Sequence, residues 1–283
     1  MRLLGRRISI LLMLFLATWL QGCVSIPSVE SRVQSAERIA KQYGWSASVI
    51  ETKSFDLMSY QQPDRLPVST LAVYIEGDGL AWITSRQASL NPTPLNPVAL
   101  KLALNDSQHT AVYLGRVCQY VEHQQRGGCN KRYWMGERFA PLVVDAMNEA
   151  VDQLKRDYQA DTLVLVGFSG GGTIVALLAA RRHDVSKLIT VAGNLDHQAW
   201  TEHHRISPLI GSLNPADAVK ELSLVDQLHF VGAQDTVIPP ALITGFVNRL
   251  GTNTHARVVV VPNQDHNCCW SEHWSRLLNA EMP

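Results

Sequence analysis

Apolar residues follow two patterns that alternate along most of the chain. Short runs rich in β-branched residues predict buried strands. These runs lie at 71–75, 110–117, 162–166, 187–192, 228–231 and 258–261. Between them, apolar residues recur at helical spacing, as along 139–154. Strands that alternate with helices favour an α/β fold with a mostly parallel central sheet flanked by helices, whose ligands bind beyond the carboxyl ends of the strands.

Weaker patterns predict the remaining elements. Apolar spacing from 29 to 43 predicts an amphipathic helix, which we interpret as a helix packed on the body. Residues 48–60 are expected to hold a strand or hairpin, and 271–279 a last helix. Asn214 begins a further helix, because a capping side chain is followed by proline and an early acid. We predict one domain over 23–283.

The first 22 residues predict an export signal. A basic start, Met1 to Arg7, precedes an apolar stretch that ends at Leu20 and is shorter than the roughly 20 residues that cross a bilayer. Leu20-Gln21-Gly22-Cys23 resembles a bacterial lipoprotein box, which implies cleavage before Cys23 and a lipid on that cysteine. Val24 then implies the outer membrane, facing the periplasm, in a Gram-negative cell. The alternative is an ordinary signal peptide with an incidental cysteine.

Composition adds little to this picture. The chain has 283 residues, of which 46% are hydrophobic and 18% charged, which allows a sizeable core. The formal net charge is zero, and removal of Arg2, Arg6 and Arg7 with the leader would make it about −3. The chain has no excess of basic residues of the kind that would indicate a nucleic-acid partner.

The segment Gly167-Phe168-Ser169-Gly170-Gly171 carries the clearest chemical signal. It follows the apolar run at 162–166 and leads into a helical run at 173–182. A serine at such a strand-turn-helix junction takes a strained backbone conformation, and neighbouring backbone approaches so closely that glycine is needed on both sides. Ser169 is therefore the candidate nucleophile, against the alternative of a glycine-rich turn that happens to contain a serine.

A serine hydroxyl needs a histidine to accept its proton and an acid to orient that histidine. Asp235 follows the strand run at 228–231, and His266 lies in the polar loop after 258–261. We predict that Asp235 is the acid and His266 the base. Asp196, which follows the strand at 187–192, is the rival acid.

This order of Ser, Asp and His resembles the α/β-hydrolase superfamily, from about Leu71 to the C-terminus. The resemblance implies that the N–H of Gly170 is one oxyanion donor and that a second comes from the loop after an early strand. That loop is Glu76-Gly77-Asp78-Gly79-Leu80, and we assign the second donor to the N–H of Asp78. Because a carboxylate would oppose an oxyanion, we expect the side chain of Asp78 to point away.

The four cysteines after the leader are an even number in a compartment that permits disulfides. Cys118 and Cys129 flank a short polar loop, whose closure contributes about 2 to 3 kcal/mol in the chain-entropy model, so we predict this bridge. Cys268 and Cys269 then form an adjacent pair or stay reduced. A metal is their rival role because His266 is near, but no spaced ligand pair resembles a zinc motif, and we predict none.

A further segment follows the strand at 110–117. Its Arg116, Gln119 and Trp134 either line a pocket or serve packing. The sequence as a whole predicts a lipid-anchored serine hydrolase that cleaves an ester, thioester or amide without a cofactor. Its expected partners are a small-molecule or lipid-like acyl substrate and, through Cys23, a membrane. The alternatives are an acyltransferase and a non-catalytic envelope lipoprotein.

Overall fold

The computed structural model describes residues 26–84, 86–121, 128–252 and 254–282. The predicted leader and Cys23 lie outside these ranges. An eight-stranded sheet carries the architecture, in the order β1-β2-β6-β3-β7-β8-β9-β10, and β4 and β5 form a separate hairpin. The strands are β1 (Ser46–Glu51), β2 (Asp56–Gln61), β3 (Thr70–Ile75), β4 (Trp82–Thr84), β5 (Gln87–Ala88), β6 (Thr110–Leu114), β7 (Thr162–Phe168), β8 (Val185–Val191), β9 (Gln227–Gly232) and β10 (Ala256–Val261).

Strands β1 and β2 join the sheet by antiparallel pairing. The other six strands run parallel to one another, in the order β6-β3-β7-β8-β9-β10. The helices are α1 (Val29–Gln42), α2 (Val98–Leu104), α3 (Pro141–Asp157), α4 (Gly170–Ala179), α5 (His197–His204), α6 (Val219–Leu222), α7 (Pro240–Arg249) and α8 (Trp270–Glu281), with 3₁₀ turns at Lys131–Trp134 and Pro215–Asp217. The predicted fold class, a mostly parallel sheet flanked by helices, is confirmed.

The pleat of the sheet divides the core into two apolar layers. In β3, Leu71, Val73 and Ile75 pack in the layer that contains α3, α4 and α7. The alternate residues Ala72 and Tyr74 pack in the layer with α1, α2 and α8. Because successive side chains of a strand point to opposite faces, helices on both sides bury a nearly continuous apolar strand.

Several predicted boundaries need correction. The strand predicted over 110–117 ends at Leu114, and the helix predicted from Thr173 begins at Gly170. The predicted helix at Asn214 is a 3₁₀ turn followed by the four-residue α6. Among the described residues, none of the helices is both long and apolar enough to span a bilayer.

Candidate active site

Ser169 stands at the sharp turn between β7 and α4. Its backbone has φ 51° and ψ −118°, in the region that L-residues rarely adopt. A side chain on Gly167 would collide with the backbone of Gly171, and one on Gly171 would collide with the carbonyl of Ile75. The Ser169 N–H donates to the carbonyl of Val191 at 3.0 Å, which fixes the turn against β8. The predicted elbow is therefore present, and both glycines are required by close backbone approach.

Ser169 belongs to a chain of hydrogen bonds that links three loops. Its Oγ is 3.0 Å from Nε2 of His266, and Nδ1 of His266 is 2.9 Å from Oδ2 of Asp235. Oδ1 of Asp235 accepts from the N–H groups of Val237 and Ile238, both at 2.8 Å. With its proton on Nδ1, the imidazole donates to the fully buried carboxylate and its Nε2 accepts from the serine hydroxyl.

Asp196, the rival acid, lies elsewhere in the structure. Its Oδ1 caps α5 by accepting from the N–H groups of Gln198 and Ala199, both at 3.2 Å. Its Oδ2 accepts from Arg249 at 2.7 Å. These contacts give Asp196 a role at a helix terminus, and the structure places Asp235 rather than Asp196 against His266.

The loop after β3 lies beside the serine, as predicted for a second oxyanion donor. Gly170 is the first residue of α4, so its N–H precedes the first intrahelical hydrogen bond. In the loop, the Gly77 N–H donates to Oε1 of Glu76 at 2.9 Å. Within the described part of the chain, the Asp78 N–H meets no acceptor. The N–H groups of Gly170 and Asp78 thus remain available near the serine hydroxyl.

The expectation that the Asp78 side chain points away is wrong. Its carboxylate occupies the space that a side chain on residue 170 would need, and it borders the same cleft as Ser169. Arg138 and Arg116 pair with its two oxygens, the latter at 3.4 Å. Burial alone would raise the pKa of Asp78, but the two guanidinium charges outweigh it and hold the pKa below its ordinary value. The carboxylate stays in the site because two buried arginines compensate it.

Arg116 and Gln119 support this loop from behind. Nε2 of Gln119 donates to the Gly77 carbonyl at 2.9 Å, and Oε1 of Gln119 accepts from the Arg116 N–H at 3.0 Å. The Arg116 guanidinium also donates to the Arg138 carbonyl at 2.7 Å. Trp134 is buried and donates to the Ser89 carbonyl. All three residues of the segment therefore serve packing and support rather than the cleft lining.

Glu76 is a buried carboxyl group whose contribution was not predicted. Burial raises its pKa to about 7, against hydrogen bonds from the N–H groups of Gly77 and Ala99 and the hydroxyl of Tyr113, which lower it. Oε1 of Glu76 thereby connects the loop after β3 to the first turn of α2. The Glu76 carboxyl therefore ties these two backbone segments together.

A cleft of about 250 Å³ opens onto Ser169 and His266. Its lining comes from four segments of the chain, 76–80, 94–96, 168–169 and 266–267. Leu80, Pro94 and Leu95 give this lining apolar groups, and Ser169, His266 and Asn267 give it polar groups, a combination typical of small-molecule pockets.

The structure contains two disulfides. Cys118 is bonded to Cys129, with the Cα atoms 5.5 Å apart, and Cys268 is bonded to its neighbour Cys269. The first pairing is the one predicted, and the second is one of the two open alternatives. Within the described residues, no three His, Cys, Asp or Glu side chains form a group that could hold a metal ion.

The backbone is similar to those of solved hydrolase structures. An alpha-beta serine hydrolase homologue from Coxiella burnetii has a TM-score of 0.59 and 17% sequence identity, over 84% of this chain and 97% of that chain. An esterase from Pyrococcus furiosus has a TM-score of 0.61 and 12% identity, over 85% and 91% of the two chains. The chain has the α/β-hydrolase fold.

The α/β-hydrolase fold also relates this chain to part of a larger protein. An acylaminoacyl peptidase from Pyrococcus horikoshii has a TM-score of 0.57 and 14% identity, over 84% of this chain and 40% of that chain. No family model and no curated protein matches the sequence. At such identities the likeness establishes the fold, and the chemistry must be argued from the residues.

Proposed function

We propose that this protein is a serine hydrolase of the cell envelope that cleaves an ester, thioester or amide through an acyl-enzyme. One observation carries the proposal, the unbroken chain of hydrogen bonds from Ser169 through His266 to Asp235. The solved structures with the same fold include an esterase and a peptidase, which supports acyl transfer to water as the reaction class.

The geometry suits each proton transfer of this reaction. Nε2 of His266 takes the hydroxyl proton as Oγ of Ser169 attacks the carbonyl carbon of the substrate. The carbonyl oxygen becomes an oxyanion that accepts from the N–H groups of Gly170 and Asp78. The imidazolium then gives its proton to the leaving group, and the acyl group remains on Oγ. Water repeats the sequence and releases the acid, while Asp235 stays ionised and orients the imidazole.

A fluorophosphonate probe, which phosphonylates activated serines, tests the nucleophile. We expect it to label the wild type and not Ser169→Ala, since the substituted side chain lacks the attacking oxygen. Ser186→Ala is the matched control, because that hydroxyl bonds the Leu163 carbonyl away from the site. All three proteins should melt at similar temperatures. Equal labelling of the wild type and Ser169→Ala would refute the assignment.

The products and the anchor complete the test. A panel of acyl esters and peptides should be turned over by the wild type, and product analysis in the presence of an added alcohol separates hydrolysis from acyl transfer to that alcohol. Absence of both labelling and turnover would favour a non-catalytic envelope protein. The proposed envelope location rests on the segment 20–23, which resembles a lipoprotein box. A palmitate analogue should label the wild type in cells, and label that persists in Cys23→Ala would contradict the anchor.

A further inference from the structure

One wall of the cleft is formed by the segment between β3 and α2, residues 79–96, which we call the lip. The lip contains the β4–β5 hairpin and is closed at its base, where the Leu80 N–H donates to the Pro92 carbonyl at 3.0 Å. Leu80 and the segment 94–96 line the cleft directly. Whatever the lip contacts therefore lies next to the opening that leads to Ser169.

The lip exposes four large apolar side chains. Trp82, Ile83 and Leu90, none of which lines the cleft, are exposed by 44%, 38% and 81%, and Leu95, at the cleft itself, by 49%. Single exposed apolar residues are common on protein surfaces, but a group of them beside a cleft marks an interaction site. Arg86 is the only charged residue in the sequence of the lip, which holds no acid at all.

The N-terminal helix is attached to the lip. Arg32, in the first turn of α1, is buried, and its guanidinium donates to the carbonyl oxygens of Asn91 and Thr93. The start of α1 therefore lies beside the lip. Three peptide units separate Cys23 from Ile26, so the chain covers at most about 11 Å between them. A lipid on Cys23 would enter the bilayer on the side of the molecule that carries the lip.

We propose that the lip docks on the bilayer that holds the anchor, and that the cleft takes acyl groups of lipids from the surface of that bilayer. This inference rests on the proposed hydrolase function of Ser169 and on the anchor at Cys23. An exposed Trp suits the membrane interface, and an arginine on a segment that holds no acid complements anionic headgroups. The lack of acids on the lip favours a bilayer over a cationic protein partner.

The size of the cleft agrees with a substrate that stays partly outside it. About 250 Å³ is below the range of roughly 300 to 1,000 Å³ that encloses a whole drug-sized ligand. The cleft therefore holds the reacting ester and the first part of its chain, against Leu80 and Leu95. The rest of a long acyl chain remains in the bilayer on which the lip rests.

Spin labels report directly on docking. The full chain is inserted through its anchor into vesicles of phosphatidylethanolamine and phosphatidylglycerol, with a nitroxide at Leu90→Cys or at Leu224→Cys. Leu224 is the matched control. It is 83% exposed but precedes β9, so it lies at the amino ends of the parallel strands, whereas the cleft lies at their carboxyl ends. We expect the label at 90 to be reached by oxygen and shielded from an aqueous nickel chelate, and the label at 224 to show the reverse. Equal aqueous access at both positions would overturn the proposal.

Turnover separates docking from chemistry. We expect Leu90→Asp to lower turnover of an ester lipid in those vesicles about tenfold or more and to leave turnover of a short water-soluble ester unchanged, whereas Leu224→Asp should change neither. If the wild type hydrolyses both substrates and Leu90→Asp hydrolyses the ester lipid in vesicles as fast as the wild type does, docking by the lip is refuted. Lack of wild-type turnover on both substrates would instead refute the proposed hydrolase function.

Discussion

Replacement of Arg138 by methionine should slow the chemical step through a change in charge. Arg138 and Arg116 together carry two positive charges, and Asp78 carries one negative charge. The cluster therefore has a net charge of +1 beside Gly170, where the oxyanion would form. Arg138→Met keeps much of the apolar stem and reduces that net charge to zero. The substitution should therefore destabilise the negatively charged oxyanion of the transition state and leave binding of the neutral ester nearly unchanged.

The magnitude follows from Coulomb's law. Two unit charges that are about 7 Å apart, an assumed separation across Asp78, interact by about 2.4 kcal/mol at an effective dielectric constant of about 20. That energy corresponds to about a 50-fold decrease in kcat. KM should change little, because the charge acts on the transition state rather than on the bound neutral substrate.

A second variant separates charge from structure. Asp78→Asn combined with Arg138→Met restores the net charge of +1, so we expect the double variant to regain most of the lost kcat. Rates are measured on a chromogenic ester, and melting temperatures control for folding, since Arg138 also donates to the Met135 carbonyl. A double variant as slow as Arg138→Met alone, at equal fold stability, would refute the charge argument.

Two further predictions concern the other acids. Asp235→Asn should reduce kcat by orders of magnitude, because an amide favours the wrong imidazole tautomer of His266. Asp196→Asn should retain both the cap of α5 and the activity. A larger loss of ester hydrolysis in Asp196→Asn than in Asp235→Asn would contradict the hydrogen bond between Asp235 and His266. For Glu76, burial raises the pKa of the folded state to about 7. Between the ordinary pKa of a glutamic acid and about pH 7, the folded protein keeps a proton that the unfolded chain has lost. The free energy of unfolding therefore decreases as the pH rises through that range and levels off above it. Between pH 5 and pH 8, the free energy of unfolding measured with denaturant should decrease by about 3 kcal/mol less in Glu76→Gln than in the wild type. An equal decrease in both proteins would contradict the shifted pKa.

Local patterns were sufficient for the sheet and for the chain of three side chains. Runs such as 162–166 have one stable placement, buried between helix layers, and the elbow glycines report backbone approach that any side chain would block. Asp235 and His266 were predicted because their order after Ser169, each following a late strand, resembles that of the α/β-hydrolase superfamily. Short elements such as α2 were not predicted, since seven residues carry too little periodicity.

The orientation of Asp78 could not be predicted from such patterns. Its two partners lie 38 and 60 residues further along the chain, and neither shares a motif with the loop after β3. Electrostatics alone argued that the carboxylate should leave the oxyanion site. The prediction failed because it counted one charge, whereas the folded chain brings two buried guanidinium groups to the same place.

The Cys118–Cys129 bridge belongs to the same system as the oxyanion loop. Cys118 lies between Arg116, which pairs with Asp78, and Gln119, which holds the Gly77 carbonyl. Cys118 also has a backbone φ of 70°, a conformation that surrounding contacts must maintain. A disulfide at this point constrains the segment that carries both supports, Arg116 and Gln119. The loop that carries the Asp78 N–H is therefore held by a covalent bridge, a side-chain amide and an ion-pair cluster, all of which meet at one short segment of chain.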